Sequence, residues 1–334
     1  MALPGLSLAL LDAIEEPALV VEGERVAAAN APARALLGQQ IVGRDIRFVL
    51  RHPDALDIIL PGIGGERHID SLGGREQPWT ILVRPLPDGV QLVRMVDRSA
   101  AQSAERMRVD FVANASHELR TPLTTMIGYA ETLAEDGPIE AGLRAHFGAT
   151  IHGEARRMLR IVEDLMSLSR IEADRFVTPD ERVSLDEIAR IAAENGGLLA
   201  RRMGCAINLD LAPAGPIAGD FGQLLQLADN LVGNAVRYGC GGSDATVTIR
   251  TAVEGGRAVL RVIDRGEGIP PDHLNRVTER FYRVDAARSR DSGGTGLGLS
   301  IVKHIAERHR AILEIKSVVG QGTEVVVAFP LLPV

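Results

Sequence analysis

Hydrophobic positions follow different spacings in different parts of the chain, and each spacing predicts a different kind of structure. In residues 1–97 the apolar residues form short runs broken by turns. Residues 18–30 hold two such runs about a Gly-containing turn, which predicts a β-hairpin. Residues 79–84 and 90–96 predict two further strands, and a short helix is expected over 32–37. The first region is therefore predicted to be a small α+β domain.

From residue 99 the pattern changes to the period of an amphipathic helix. No Pro or Gly occurs between Ser99 and Pro122, and a second periodic stretch covers 141–174. Residues 136–140 hold Gly and Pro, which indicates a turn and hence an antiparallel helical hairpin. Since two helices cannot cover an apolar stripe alone, we expect dimerisation into a four-helix bundle. The stripe comprises Leu143, Phe147, Ile151, Met158, Val162, Leu165 and Leu168.

The last third of the chain alternates helical and strand-like stretches. A segment at 176–183 interrupts the helical pattern and is interpreted as a linker. No two strand-like stretches beyond it have a regular β-α-β spacing, so we predict an α/β sandwich with a mixed sheet. The predicted helices are 185–203, 221–238 and 298–308, and the predicted strands are 247–252, 258–264, 312–317 and 324–329.

These patterns predict an α+β multidomain protein. The predicted domains are residues 1–97, a helical hairpin at 98–175, the linker at 176–183 and an α/β domain at 184–334. A length of 334 residues suits two or three domains, each with its own core. The composition, 46% hydrophobic and 24% charged, is typical of globular proteins.

Charge and cysteine content limit which partners the protein can have and where in the cell it is expected. The formal charge is −7, from 37 basic and 44 acidic residues, so the overall field repels nucleic acid. Any phosphate site must therefore be built locally. Cys205 and Cys240 lack the spacing of a zinc site or of a disulfide framework, which indicates a reducing, cytoplasmic location.

The sequence predicts no transmembrane segment. Residues 1–14 form the longest weakly charged stretch, which is shorter than the roughly 18 apolar residues of a spanning helix. This stretch also lacks the basic start and cleavage site of a signal peptide. Association with a membrane-bound signalling partner is left open.

His117 has the chemical surroundings of a nucleophile. Glu118 follows it and could take the proton from the imidazole ring, which makes the ring nucleophilic. Pro122 removes the donor to the carbonyl of Glu118 and predicts a bend in the helix. Thr121 lies one turn beyond His117 and could hold a water molecule against a phosphoryl group. The alternative is a surface histidine beside a solvated acid.

The other seven histidines have no such surroundings. We interpret them as surface or packing residues: His52, His68, His146, His152, His273, His304 and His309.

Two motifs of the last third suit a nucleotide. Asn230 and Asn234 lie one turn apart on a predicted helix, and their carboxamides suit a Mg²⁺ ion that keeps several waters. Arg237 and Tyr238 follow on the same helix. Asp264 ends a predicted strand, where its carboxylate could accept a hydrogen bond from the amine of adenine. Gly266 and Gly268 would let the base lie close to the backbone, although a simple turn would also explain them.

A glycine-rich loop, residues 293–298, opens the last predicted helix. Glycines at a helix start free backbone N–H groups for phosphate oxygens, with support from the helix dipole. The spacing is neither the dinucleotide fingerprint nor Walker A. Lys303 and Lys316 are the only lysines, so the lysine motif of eukaryotic protein kinases is also absent.

The residues from Asp110 to Tyr129, with the run Asn-Ala-Ser-His-Glu-Leu-Arg-Thr-Pro-Leu, resemble the phosphoacceptor box of sensor histidine kinases. The motifs at 229–238, 262–270, 280–283 and 293–303 follow in that family's order and resemble its ATP-binding domain, of the GHKL ATPase type. The resemblance covers about 105–332. The N-terminal order of hairpin, short helices and closing strands resembles a PAS sensor domain. The combination resembles sensor kinases of the phosphate-regulon type.

The resemblance implies an ATP-dependent protein-histidine kinase. It implies autophosphorylation of His117, transfer to an aspartate of a response-regulator receiver domain, and a homodimer that also dephosphorylates the regulator. Glu118 and Thr121 would act beside His117, and Asn234 would hold Mg²⁺. The residues implied in ATP binding are Asn230, Asn234, Arg237, Tyr238, Asp264, Gly266, Gly268, Gly294, Gly296, Leu297 and Gly298.

Two other functions stay open from the sequence. One is a regulator-binding phosphatase or scaffold with little ATP turnover, and the other is a mechanical ATPase of the gyrase or chaperone kind. The first region holds no cysteine, which excludes a flavin–cysteinyl adduct. His52 and His68 could in principle ligate haem, but a lone histidine is seldom a ligand.

Overall fold

The computed structural model describes residues 5–135, 137, 139–174, 177–240, 245–284 and 294–332, in two units. The first unit is Met1–Val112 and the second is Ala113–Val334. Parts of four predicted segments lie outside the described residues: the turn at 136–140, the linker at 176–183, the polar stretch at 284–292 and the glycine-rich loop at 293–298.

The first unit is built on an antiparallel sheet of five strands in the order β2-β1-β5-β4-β3. Asn30, fully buried, joins its parts: Oδ1 accepts from the N–H groups of Ala18 and Ala33, and Nδ2 donates to the carbonyls of Ile14 and Glu16. The strands are β1 Ala18–Glu22, β2 Arg25–Ala29, β3 Gly65–Ile69, β4 Trp79–Pro85 and β5 Val90–Asp97. The helices are α1 Gly5–Asp12, α2 Ala31–Leu37, α3 Ile46–Val49 and α4 Pro53–Ile59, with a 3₁₀ turn at Pro87–Gly89.

Two long helices follow, α5 at Ser99–Ala134 and α6 at Ala141–Ala173. Two side-chain pairs show that they run antiparallel. Arg157 forms an ion pair with Glu118, and the rings of Tyr129 and Phe147 have centroids 5.0 Å apart. The predicted helical hairpin is therefore confirmed.

The α/β part of the second unit has a mixed five-stranded sheet in the order β11-β12-β10-β9-β7. Only the pair β7–β9 is parallel in that sheet as described. Strands β6 and β8 form a separate antiparallel sheet of two strands. The strands are β6 Glu181–Ser184, β7 Ala206–Leu211, β8 Pro216–Gly219, β9 Thr246–Glu254, β10 Arg257–Ile263, β11 Ile312–Val318 and β12 Gly322–Pro330. The helices are α7 Leu185–Arg202, α8 Phe221–Gly239, α9 Pro271–Leu274 and α10 Gly298–Arg308.

Helix α8 shows why the sequence folds this way locally. Asp220 caps its N-terminus, since the side chain accepts from the N–H of Gln223 at 3.0 Å. Its apolar residues recur at helical spacing and lie in the core between α7, α10 and the sheet. The buried positions include Leu224, Leu227, Ala228, Leu231, Val232, Ala235 and Val236.

The short elements escaped prediction for physical reasons. Strand β7 is mostly exposed, so it lacks the alternation of buried and exposed positions that marks a strand in sequence. Strands β6 and β8 have four residues each, too few for a periodic signal. They exist because they pair with each other, which is a contact between distant parts of the chain.

The spacing of the two cysteines did not indicate a disulfide, but the structure contains one. Cys205 and Cys240 form a disulfide, with Cα atoms 5.6 Å apart. Cys205 lies just before β7 and Cys240 just after α8. The packing of α7 and α8 against one sheet brings these two ends together, across 35 positions of sequence.

Candidate active site

A cavity of about 960 Å³ opens in the second unit between α8, the turn after β10 and the loop before α10. Ten of the residues predicted to bind nucleotide line this cavity. They are Asn230, Asn234, Arg237, Tyr238, Asp264, Gly266, Gly268, Gly294, Gly296 and Gly298. The structure therefore brings together residues that are spread over nearly 70 positions of sequence.

Helix α8 contributes a polar stripe beside its buried face. Asn230 and Asn234 lie one turn apart, and Oδ1 of Asn234 accepts a 3.5 Å hydrogen bond from Nη1 of Arg237. Burial lowers the pKa of Arg237, with an opposing effect from Tyr238. The carboxamides and the guanidinium thus form one polar wall, suited to a phosphate-bound cation and to phosphate oxygens.

Asp264 lies at the end of β10 with 9% of its surface exposed. Its Oδ1 accepts from the N–H of Gly266 at 2.9 Å and from that of Thr323 at 3.2 Å. Burial raises the pKa of Asp264, and these two hydrogen bonds oppose the effect. Two backbone donors to one oxygen orient the carboxylate, while the residue lines the cavity.

Gly266 is required by close packing. A Cβ at this position would lie 2.0 Å from the carbonyl oxygen of Tyr238, so no larger residue fits without movement of backbone. The contact places the end of α8 directly on the turn that holds Asp264.

The glycine loop turns sharply before α10. Gly296 has φ +73°, a conformation that favours glycine, and its carbonyl accepts from the N–H of Phe281 at 2.9 Å. Leu297 was also predicted to bind nucleotide, but it is not among the residues that line the cavity. Its side chain is fully buried in the core, where it anchors the start of α10.

Sequence reasoning did not single out several of the polar residues that line this cavity, among them two on helix α6. Arg160 and Asp164 line it from helix α6, together with Thr295 from the glycine loop. The hydroxyl of Thr295 donates to Oδ2 of Asp164 at 2.7 Å. Burial raises the pKa of Asp164, and the hydrogen bond from Thr295 opposes that shift. No local pattern distinguishes these two residues of α6 from its other charged residues, since only packing brings α6 to the cavity.

A second, smaller cavity of about 270 Å³ lies at His117. Its walls come from α5 and from the segment that precedes the glycine loop. Tyr282 lines both cavities. The residues around the second cavity are Asn114, His117, Glu118, Arg276, Glu279, Arg280, Phe281 and Tyr282.

The carboxylate of Glu118 has two cationic partners. Its Oε2 accepts from Nη2 of Arg157 at 3.0 Å and from Nη2 of Arg283 at 2.9 Å. Arg283 also donates to the carbonyl of Gly294 at 2.7 Å. The acid beside His117 is thus tied both to helix α6 and to the wall of the nucleotide-type cavity.

Thr121 lies on the exposed surface one turn beyond His117, and its hydroxyl donates to the carbonyl of His117 at 3.3 Å. Pro122 is buried within α5, which continues through it. Since proline has no N–H, the carbonyl of Glu118 loses its usual helical donor. The predicted bend stays a prediction.

Comparison with known proteins agrees with this geometry. Residues 107–174 match the His Kinase A (phospho-acceptor) domain, and residues 219–333 match the histidine kinase-, DNA gyrase B- and HSP90-like ATPase domain. The chain is 38% identical over 314 residues to the phosphate regulon sensor protein PhoR of Pseudomonas aeruginosa, covering 88% of this chain and 67% of PhoR. The chain belongs to the sensor histidine kinases.

This sensor kinase is 36% identical over 242 residues to the sensor-like histidine kinase SenX3 of Mycolicibacterium smegmatis, covering 72% of this chain and 62% of SenX3. It is 34% identical over 236 residues to the sensor protein kinase WalK of Staphylococcus aureus, covering 70% of this chain and 56% of WalK. It thus spans less than two thirds of the length of these two relatives.

The fold has a solved counterpart in the Acinetobacter baumannii histidine kinase AdeS. The likeness has a TM-score of 0.50 at 21% identity and covers 65% of this chain and 98% of the AdeS chain. Among the helices of the described residues, none combines the length and the hydropathy needed to cross a membrane.

Proposed function

We propose that this sensor kinase transfers the γ-phosphoryl group of ATP to His117 and then to an aspartate of a response-regulator receiver domain. One observation carries the proposal. A cavity with nucleotide-type chemistry and a cavity at His117 share the wall at Tyr282, within one unit of the chain. This adjacency supports a nucleotide site that lies next to the acceptor His117.

The reaction follows from the side chains at these cavities. A ring nitrogen of neutral His117 attacks the γ-phosphorus, and the new N–P bond forms as the bond to the β–γ bridging oxygen breaks. The electron pair leaves on ADP. The proton on the other ring nitrogen passes to Glu118, whose carboxylate has lone pairs beyond those that accept from Arg157 and Arg283.

The larger cavity suits ATP. Asp264 would accept a hydrogen bond from the adenine amine, and the N–H groups around Gly294, Gly296 and Gly298 would bind phosphate oxygens. Among the described residues no group of three or more His, Cys, Asp or Glu side chains forms a metal site. A carboxamide donor fits an ion held mainly by phosphates and water. Asn234 would therefore hold Mg²⁺, which when bound neutralises phosphate charge.

The helical hairpin supports a homodimer. Several large apolar side chains of α5 and α6 are exposed in the single chain, and a second copy would cover them in a four-helix bundle. They include Leu123, Ile127, Leu143, Leu159, Val162 and Met166.

The first unit supports a sensory role. Its order of hairpin, short helices and closing strands is the order on which the resemblance to a PAS sensor domain rests. The identity to a phosphate regulon sensor protein favours phosphate-regulon signalling.

Labelling with γ-³²P ATP and magnesium tests the proposal. We expect an acid-labile, base-stable label on the wild-type protein and no label on His117→Gln, which should still bind ATP. Label that persists in the variant would exclude His117. A wild-type protein that hydrolyses ATP without any label would indicate the mechanical ATPase, and one with phosphatase activity alone would indicate the scaffold.

A further inference from the structure

A buried arginine lies behind the phosphoacceptor site. Arg157, on α6, is 6% exposed. Its Nη2 donates to Oε2 of Glu118 at 3.0 Å, and its Nη1 lies 3.7 Å from Oε2 of Glu154. Nε of Arg157 is buried and has no hydrogen-bond partner among the described residues.

The desolvation free energy of a buried arginine is high for a residue that serves only to pack α6. Burial of a guanidinium carries a desolvation penalty that its ion pairs with Glu118 and Glu154 barely offset, and an aliphatic side chain of similar volume would commonly be as stable. The next buried positions along α6, Ile161 and Leu168, are aliphatic. The charge at position 157 thus has an effect that an aliphatic residue could not supply.

The effect concerns Glu118. A glutamate side chain has several rotatable bonds, so its carboxylate needs a partner in order to keep one place. Arg283, the other partner, belongs to the segment between the two cavities and also donates to Gly294. Arg157 is the partner that lies on the same hairpin as the phosphoacceptor.

We propose that Arg157 is a positioning residue for autophosphorylation. It holds the carboxylate of Glu118 beside His117 and close to Arg283, which lines the larger cavity. Arg157 lines neither cavity, so it acts through Glu118 and not on the substrate. The inference rests on the proposed function, and in particular on Glu118 as the proton acceptor.

Three variants test the proposal in the full chain. Arg157→Met keeps most of the volume and loses the charge, whereas Arg157→Lys keeps the charge without the fork of donors. Arg156→Met is the matched control, because Arg156 is the exposed neighbour on the same helix. The rate constant of His117 labelling at saturating ATP, the Kd for nucleotide and the Tm are measured for each.

We expect Arg157→Met to slow labelling about 10- to 100-fold, the usual effect of a displaced catalytic group. Its Kd for nucleotide and its Tm should stay near the wild-type values. Arg157→Lys should recover part of the rate, and Arg156→Met should label normally. A rate loss accompanied by a large fall in Tm, without rescue by lysine, would overturn the proposal in favour of a packing role.

A double variant supplies a readout that packing cannot mimic. If Arg157 acts through Glu118, Arg157→Met should have little further effect in a Glu118→Gln background. Additive losses would overturn the proposal. An unlabelled wild-type protein would instead refute the proposed function itself, so the two failures are distinguishable.

Discussion

At the scale of single residues, Thr121 is placed to separate the two activities proposed for the hairpin, autophosphorylation and dephosphorylation of the regulator. Its hydroxyl lies one turn beyond His117 on the exposed surface, where a docked regulator could share it. The hydroxyl has no role in making imidazole nucleophilic. We expect Thr121→Ala to keep autophosphorylation and forward transfer and to lose dephosphorylation of the regulator.

The measurement is loss of label from a phosphorylated regulator in the presence of a nucleotide that cannot be hydrolysed. Thr121→Ser keeps the hydroxyl and is the matched control. Equal dephosphorylation by wild type and Thr121→Ala would exclude the hydroxyl, and loss of autophosphorylation as well would indicate a structural role near Pro122.

Asp264, the proposed acceptor for the adenine amine, also affects the stability of the fold. Burial raises its pKa above the usual value, so folding is favoured below the unfolded pKa and this stability is lost as pH rises through the folded pKa. At neutral pH the charged carboxylate therefore destabilises the fold. Asp264→Asn keeps an oxygen for the N–H groups of Gly266 and Thr323, so we expect an unchanged or higher Tm.

The same variant should bind ATP about 10- to 100-fold more weakly, since a buried acceptor for the adenine amine is changed. Its preference for ATP over GTP should also fall. Asp272→Asn, an exposed change on α9, is the control. Unchanged affinity and preference in Asp264→Asn would place the adenine elsewhere.

His309 makes the stability of the α/β domain depend on pH. It is 3% exposed, its Nε2 accepts from the N–H of Asp220 at 3.0 Å, and burial lowers its pKa. A lowered histidine pKa means that the unfolded chain binds the proton more readily. The stabilisation is complete above the unfolded pKa, about 6.5, and is lost as pH falls through the folded pKa.

Urea unfolding at a series of pH values from 7.5 downward measures this effect. His309→Gln can still offer an acceptor to Asp220 but does not titrate, so the fall in unfolding free energy with acid should be smaller. The exposed His152→Gln should leave the pH dependence as in the wild type. A pH dependence unaltered in His309→Gln would contradict the assignment.

At the scale of elements, the disulfide links the end of α8 to the start of β7. The closed loop spans 35 positions, for which loop-closure entropy predicts a stabilisation of about 3–4 kcal/mol. We expect dithiothreitol to lower the unfolding free energy of the oxidised protein by about this amount. Cys205→Ser should show the lower stability from the start.

Reductant should have no effect on Cys205→Ser, which makes that variant the control for general effects of dithiothreitol. An oxidised wild type as unstable as the variant would contradict the prediction. Because Cys240 also lines the larger cavity, nucleotide affinity should be measured on the same samples.

At the scale of the whole molecule, the exposed apolar face of the hairpin predicts its assembly. Leu159 is 57% exposed in the single chain. Burial of one leucine is worth about 1.5–3 kcal/mol, and a symmetric dimer buries two. We expect Leu159→Glu to weaken the dimer about 100-fold or more, as measured by analytical ultracentrifugation over a range of concentrations.

Arg144→Glu reverses a charge at an exposed polar position of the same helix and should dimerise normally. A monomeric wild type, or a Leu159→Glu protein as dimeric as wild type, would show that this face does not form the dimer.

Much of the molecule could be read from local sequence. Helices α7, α8 and α10 were predictable because periodic apolar residues act within a few turns of the chain, and α7 and α8 also begin at a side-chain cap. Strands β9 to β12 were predictable from apolar runs and turns. Ten of the eleven residues predicted to bind nucleotide meet at one cavity, because each motif carries its own turn, strand end or helix face.

Contacts between distant residues were decided only by the tertiary structure. Glu118 meets Arg157 across 39 positions and Arg283 across 165, and Thr295 meets Asp164 across 131. No periodicity or local propensity encodes such pairs, because each depends on how elements that are distant in the chain pack within the second unit. The disulfide and the parallel pair β7–β9 have the same origin. The sequence by itself determined which groups can act on a phosphoryl group, whereas packing decided which charged partners hold them in place.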